Sequence, residues 1–213
     1  TYYNPTLRFN GKVTREILSH ITIEPATAGV WGVGYDSTRV TFSPATNLKP
    51  ATEYSITVDG SAEDVLGNRI PGPFTTRFTT VPFRVSFSYP SNGSVDVSMT
   101  VSPSIYFTVP YDTSTTRAAF HMTPATTVTL DGIYYGSTYL SITPREGLLA
   151  STTYTISIDT TLMAMGGEHL SAPFECSFTT SPFMVTQTYP HDGTTNVSRS
   201  YVITINVNAP IDY

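Results

Sequence analysis

Apolar and polar residues alternate strictly in several short runs of this chain. Over 154–159, Tyr154, Ile156 and Ile158 share one face while Thr155, Ser157 and Asp159 share the other. Over 174–179, Phe174, Cys176 and Phe178 alternate with Glu175, Ser177 and Thr179. The run 84–89 alternates and ends at Pro90-Ser91-Asn92-Gly93, a strand followed by a reversal. A second apolar strand is expected over 104–109. Segments 127–130 and 138–143 flank Asp131-Gly132, a hairpin-type signal. Only 112–121 breaks the pattern, and Asp112 there is a candidate cap for a short helical or irregular crossover. Period two with one apolar face marks a sheet covered on one side. Two such sheets facing each other bury a sandwich core.

The pattern recurs. Phe78-Thr79-Thr80-Val81-Pro82-Phe83 returns as Phe178-Thr179-Thr180-Ser181-Pro182-Phe183, a shift of 100 residues. Tyr89-Pro90, Gly93, Val97-Ser98, Ile105, Pro110 and Asp112 return at the same shift, as do Pro44, Leu48, Tyr54 and Asp59. The order and spacing define a repeat unit, the first thing to seek in any sequence. Three domains follow: 1–83, an Ig-like domain lacking its first strand; 84–183, a complete Ig-like domain; and 184–213, the opening strands of a third unit. A unit of this length suits an immunoglobulin-like sandwich. The expected fold class is all-β, with tandem immunoglobulin-like β-sandwich domains.

Composition agrees. Charged residues are 13% of the 213, against 39% hydrophobic, and the formal net charge is −5. Ser and Thr fill the polar positions, as a pleated surface favours. The 11 Lys and Arg are scattered singly, which argues against nucleic acid as a partner. No run reaches the roughly 20 apolar residues of a membrane span. The opening Thr1-Tyr2-Tyr3-Asn4-Pro5 lacks the features of a signal peptide. Cys176 has no partner for an internal disulfide and reads as a small apolar residue on a strand.

Several phrases recur in order: Tyr-Pro-x-x-Gly-x-x-x-Val, a strand ending in Pro-x-Asp, Pro-x-x-x-Leu-x-x-x-Thr-x-Tyr-x-Ile, and a closing Phe-x-Thr-x-Phe-Thr-Thr. In the first unit Asp64-Val65-Leu66-Gly67-Asn68 precedes the last of these. Together they resemble the bacterial Ig-like domain family named after an S-layer protein, over essentially the whole chain. The resemblance implies a structural or spacer role in cell-surface proteins, S-layers, adhesins or filaments, at an extracellular or cell-surface location. The second unit departs from the first at Ala164, Gly167 and Glu168, where the first has Asp64, Gly67 and Asn68. The Asp-Gly-Asn segment reads as turn chemistry, since calcium would need more oxygen ligands than Glu63 adds.

Chemistry is sparse. His20, His121, His169 and His191 show no metal-ligand spacing. His20 and His121 fall at similar places in their units, which suggests a shared structural position. There is no nucleophile elbow or phosphate loop, so no catalytic, metal or cofactor-binding residue is expected. The run Gly29-Val30-Trp31-Gly32-Val33-Gly34 reads as a flexible turn presenting Trp31, with Tyr134 and Tyr135 in a comparable stretch of the next unit. These aromatics either cover the sandwich end or contact a ligand or subunit. Asn92 and Asn196 open N-x-S sequons, and are candidate glycosylation sites or plain turn residues.

Each junction is short and carries one proline followed by an apolar residue: Pro82-Phe83 and Pro182-Phe183. Proline stiffens such a link, and the phenylalanines are candidates for packing between adjacent units. The expected object is a rod in which each sandwich adds roughly 40 Å. Its partners are further copies, in a filament or lattice, or neighbouring repeats of a longer chain. Residues 184–213 carry the strands that the first unit lacks, so either strand exchange between subunits or covalent neighbours could complete it.

Overall fold

The computed structural model describes residues 4–132 and 136–209. The chain divides into two compact units, 1–82 and 83–213. The expected Tyr134 and Tyr135 lie outside the described residues.

The second unit is the fuller one. Its strands are, within the first unit's numbering to follow on from six, best introduced after that unit. In the first unit the strands are β1 (Thr6–Arg8), β2 (Ile21–Glu24), β3 (Gly29–Val33), β4 (Arg39–Pro44), β5 (Glu53–Val58) and β6 (Phe74–Thr79). They form two antiparallel sheets, ordered β1-β4-β3 and β2-β5-β6. Val40, Phe42, Tyr54, Ile56 and Val58 are buried in one core with Leu7, Ile21 and Ile23. Alternation carries this directly: β5 buries every second residue.

The second unit holds β7 (Val85–Tyr89), β8 (Ser94–Val97), β9 (Ser104–Phe107), β10 (Phe120–Thr123), β11 (Val128–Asp131), β12 (Tyr139–Pro144), β13 (Thr153–Ile158) and β14 (Phe174–Thr180). One sheet is ordered β11-β12-β9-β7, the other β10-β13-β14-β8. All neighbours are antiparallel except β8, which runs parallel to β14. Ile105, Leu140, Ile142, Ile156, Ile158 and Phe178 are all buried in its core. This is the sandwich that the alternation implies. The crossover after Asp112 is a 3-10 turn at Thr113–Thr115 and a one-turn helix α1 (Thr116–Ala119). Asp112 caps it, its carboxylate accepting the Ser114 N–H at 2.9 Å.

Comparing sheet orders shows what distinguishes the units. The strand β1 pairs with β4 as β9 pairs with β12. The strand β6 pairs with β5 as β14 pairs with β13. In the second unit β7 flanks β9 and β8 flanks β14. Among the described residues, β1 and β6 have no such flanking strand.

Two further strands, β15 (Val185–Tyr189) and β16 (Thr204–Val207), form a hairpin sheet of their own. Their register, Tyr189 opposite Thr204 and Thr188 opposite Ile205, reproduces Tyr89 opposite Ser104 and Ser88 opposite Ile105. Ile105 is 0% exposed, whereas its counterpart Ile205 is 59% exposed.

The low charge has a structural counterpart. Hydroxyl pairs link adjacent strands: Thr57 with Thr75 at 2.9 Å, Thr153 with Thr179 at 2.9 Å and Thr155 with Ser177 at 2.8 Å. Such cross-strand pairs stabilise a solvated sheet face without ion pairs.

Candidate functional site

The glycine-rich run is corrected first. Residues Gly29–Val33 are not a flexible turn but strand β3, paired along β4 with Trp31 opposite Phe42. Glycine here allows close approach: a Cβ on Gly29 would lie 2.5 Å from the Phe42 ring. Trp31 is half-buried, its ring centroid 4.9 Å from that of Phe42. Most of its indole therefore serves the first core.

The histidines share a partner but not a position. The Asp59 N–H donates to the His20 carbonyl, while the Asp159 N–H donates to the Ala119 carbonyl. His121 thus stands two residues beyond the backbone equivalent of His20. Both still reach the corresponding carboxylate, His20 through Nδ1 at 3.1 Å and His121 through Nε2 at 3.0 Å. Ser61 and Thr161 donate their hydroxyls and backbone N–H groups to the same carboxylates. The Ser61 hydroxyl holds the Asp59 carboxyl below its ordinary value. The Thr161 hydroxyl, then His121, lower Asp159 to about 2. Serine, histidine and aspartate meet at His20, yet they cannot relay a proton as a triad does. A triad needs opposite ring nitrogens facing its acid and its nucleophile; here Nδ1 faces both, and the Ser61 hydroxyl is spent on Asp59.

Asp64 is likewise occupied. Its carboxylate accepts the Leu66 N–H at 2.8 Å, the Asn68 N–H at 2.9 Å and the Asn68 side-chain amide at 2.9 Å. The Asn68 amide, first, keeps that carboxyl below its ordinary value. Gly67 supplies the left-handed residue of the turn at φ 82°. Cys176 lies buried in β14, and burial pushes its thiol up. That makes it a poor nucleophile.

The sequon residues differ. Asn92 uses its side-chain oxygen to accept the Ser177 N–H at 2.8 Å, clasping the opening turn to β14. Asn196 is exposed, with φ 60°. The junction phenylalanines differ too. Phe83 does not lie on a junction surface; it is 1% exposed within the second core, 5.7 Å from the Phe107 ring. Phe183 is 61% exposed, and its neighbour Pro182 accepts the Asn208 side-chain amide at 2.8 Å. Pro82 is half-buried.

One surface was not visible in the sequence. Phe87, Tyr106 and Tyr139 come from β7, β9 and β12 and stand side by side on the outer sheet face. Their successive ring centroids are 5.7 and 4.9 Å apart. The positions matching Tyr106 and Tyr139 in the first unit are Arg8 and Arg39, paired with each other. The stripe is therefore a property of the second unit and not of the fold. An open groove of about 490 Å³ lies beside β10, lined by Arg117, Phe120, His121 and the 122–128 turn.

Three solved structures share the general arrangement at low similarity. An L,D-transpeptidase from Mycobacterium smegmatis is 19% identical, with a TM-score of 0.36, over 49% of this chain and 42% of that one. An L,D-transpeptidase from Mycobacterium tuberculosis H37Rv is 13% identical, with a TM-score of 0.34, over 59% and 49%. The SGBP-B protein of a Bacteroides ovatus mixed-linkage glucan utilization locus, solved with a mixed-linkage heptasaccharide, is 15% identical, with a TM-score of 0.35, over 87% and 44%. The chain thus spans less than half the length of each. No curated protein matches the chain. The family model described as "Bacterial Ig-like domain" matches residues 3–80 and again 80–180. With two matched segments covering most of its length, and a sandwich in the place of each, the chain belongs to the bacterial Ig-like domain family.

Proposed function

We propose that this chain is a non-enzymatic structural segment of an extracellular filament, S-layer or cell-surface stalk. One observation carries the reading. The side chains best able to do chemistry, at His20, Asp59, Asp64, His121, Asp159 and Cys176, are engaged in tying turns or buried in a core. Cross-strand hydroxyl pairs and two separate cores supply resistance to deformation instead. The short proline-bearing junctions at Pro82 and Pro182 favour stiff linkage. Residues 184–213 then act as the opening strands of a third unit, completed by a neighbouring repeat or by another copy. Negative-stain imaging of the purified chain at rising concentration tests this role. Fibres or ordered sheets support it; dispersed particles at every concentration count against it.

A second reading, an adhesin module holding carbohydrate, is favoured by the Phe87–Tyr106–Tyr139 stripe. Exposed aromatic rings offer flat apolar faces. The half-buried Trp31 adds less. Binding to a panel of soluble polysaccharides, lost on Tyr106→Ala and kept on Trp31→Ala, supports this reading. No binding by the native chain removes it.

A further inference from the structure

We propose that the open edges of the first unit accept residues 184–198 of a second copy, as β1 and β6 take the flanking strands that β9 and β14 already have. The inference rests on the structural reading above and specifies its partner and register. The second unit supplies the template. There, β7 lies along β9, and the opening turn clasps β14 through Asn92 Oδ1, which accepts the Ser177 N–H, and Gly93, whose N–H donates to the Ser177 carbonyl at 2.7 Å. After that turn β8 runs parallel to β14, with Ser94 beside Phe178 and Val97 beside Thr180.

Residues 184–198 repeat 84–98 closely enough to be placed by it. Tyr189-Pro190, Gly193 and Val197-Ser198 coincide with their counterparts. The template sets Tyr189 opposite Thr6, Thr188 opposite Leu7 and Gln187 opposite Arg8. It sets Thr194 beside Phe78 and Val197 beside Thr80. Both sides have something to bury. Phe78 and Phe9 are half-buried where Phe178 and Phe107 are buried. Val185 and Val197 are exposed where Val85 and Val97 pack against a core.

Charge favours the match. Asp192 stands where Asn92 does, and Arg77 stands where Ser177 does. An aspartate there accepts the Arg77 N–H, as Asn92 accepts that of Ser177, and also faces the Arg77 guanidinium. That guanidinium is held only by an exposed contact with Glu53 at 3.7 Å. The cost is small: β15 must leave β16, and an isolated two-stranded hairpin is marginal in water. An unflanked strand edge is a standing template for such pairing.

The test uses the full chain. Sedimentation analysis is expected to give species at multiples of 23.2 kDa. Asp192→Arg should weaken association at least tenfold, and Arg77→Asp should do the same. The two changes in one chain should recover most of it, and Asp192→Asn should retain it. Register is read by mixing Gln187→Cys chains with Arg8→Cys chains under mild oxidation, which should give a dimer of the two. A native chain that stays at 23.2 kDa overturns the proposal. So does cross-linking of Gln187→Cys chains to Val30→Cys chains, on the opposite edge strand β3, in place of Arg8→Cys. A monomeric chain that still forms two stable sandwiches overturns only this proposal; loss of the separate cores would overturn the structural reading itself.

Discussion

Phe78 and Phe178 occupy corresponding places in β6 and β14, yet Phe178 is 1% exposed and Phe78 is only half-buried. Each stacks on a tyrosine, Phe78 on Tyr54 at 5.5 Å and Phe178 on Tyr154 at 5.9 Å. The difference lies on the other side of the ring. Strand β8 runs beside Phe178, and among the described residues nothing equivalent runs beside Phe78.

The two phenylalanines should therefore differ in what their loss costs. Phe178→Ala is expected to destabilise the second unit by about 3–5 kcal/mol, the range for a buried phenylalanine. Phe78→Ala should cost the first unit about 1–2 kcal/mol, since less area leaves water there. Urea unfolding reads both. Trp31, the only tryptophan, reports the first unit by fluorescence. Equal losses in the two units would contradict the comparison.

Cys176 gives the matching probe for the second unit. Buried and with its thiol pushed up, it should resist alkylation in the folded chain. Its labelling rate should rise only as the second unit unfolds, and Phe178→Ala should raise it strongly. Phe78→Ala should leave it unchanged. Rapid labelling in native buffer would show that β14 is not covered as described.

The tyrosine hydroxyls tie each unit in the same way. Tyr154 Oη accepts the Leu149 N–H at 2.9 Å, and Tyr54 Oη accepts the Lys49 N–H at 3.1 Å. Tyr154→Phe keeps the ring and removes the acceptor. The expected loss is about 0.5–1.5 kcal/mol, measured by urea unfolding of the second unit. No loss would show that water replaces the hydroxyl freely.

Acid stability should carry the mark of Asp159. Its carboxyl is held at about 2 against an ordinary value of 3.8, so the folded state binds its proton less readily than the unfolded chain. The stabilisation is complete above about pH 4 and is lost as pH falls towards 2. Asp59 contributes in the same direction in the first unit. Both carboxylates are exposed, so the effect is modest. Asp159→Asn should flatten the second unit's melting temperature between pH 4 and 2. An unchanged slope in the variant would remove Asp159 from the account.

How far the sequence spoke for the structure varied by residue. The alternation at 154–159 and 174–179 announced β13 and β14, because both strands face one core. Strand β8 could not be found that way. It pairs in parallel with a strand more than 80 residues away, and Asp96 within it has φ 55°. The glycines at 29–34 read as a turn because glycine usually marks one; only the Phe42 ring beside Gly29 explains them as strand residues. The Phe87–Tyr106–Tyr139 stripe was hidden because register alone brings three distant residues together. His20 and His121 looked equivalent by spacing, and proved to share an aspartate position while differing in backbone position.

Single-molecule stretching of the chain tests most directly whether it is built from separately cored sandwiches that bear load. The account expects two distinct unfolding events. Complete extension of 83–180 should release roughly 300 Å, and that of the first unit somewhat less, at about 3.4 Å per residue. Phe178→Ala should lower the force of the longer event alone. One event releasing both lengths together, or smooth extension without a force peak, would contradict it.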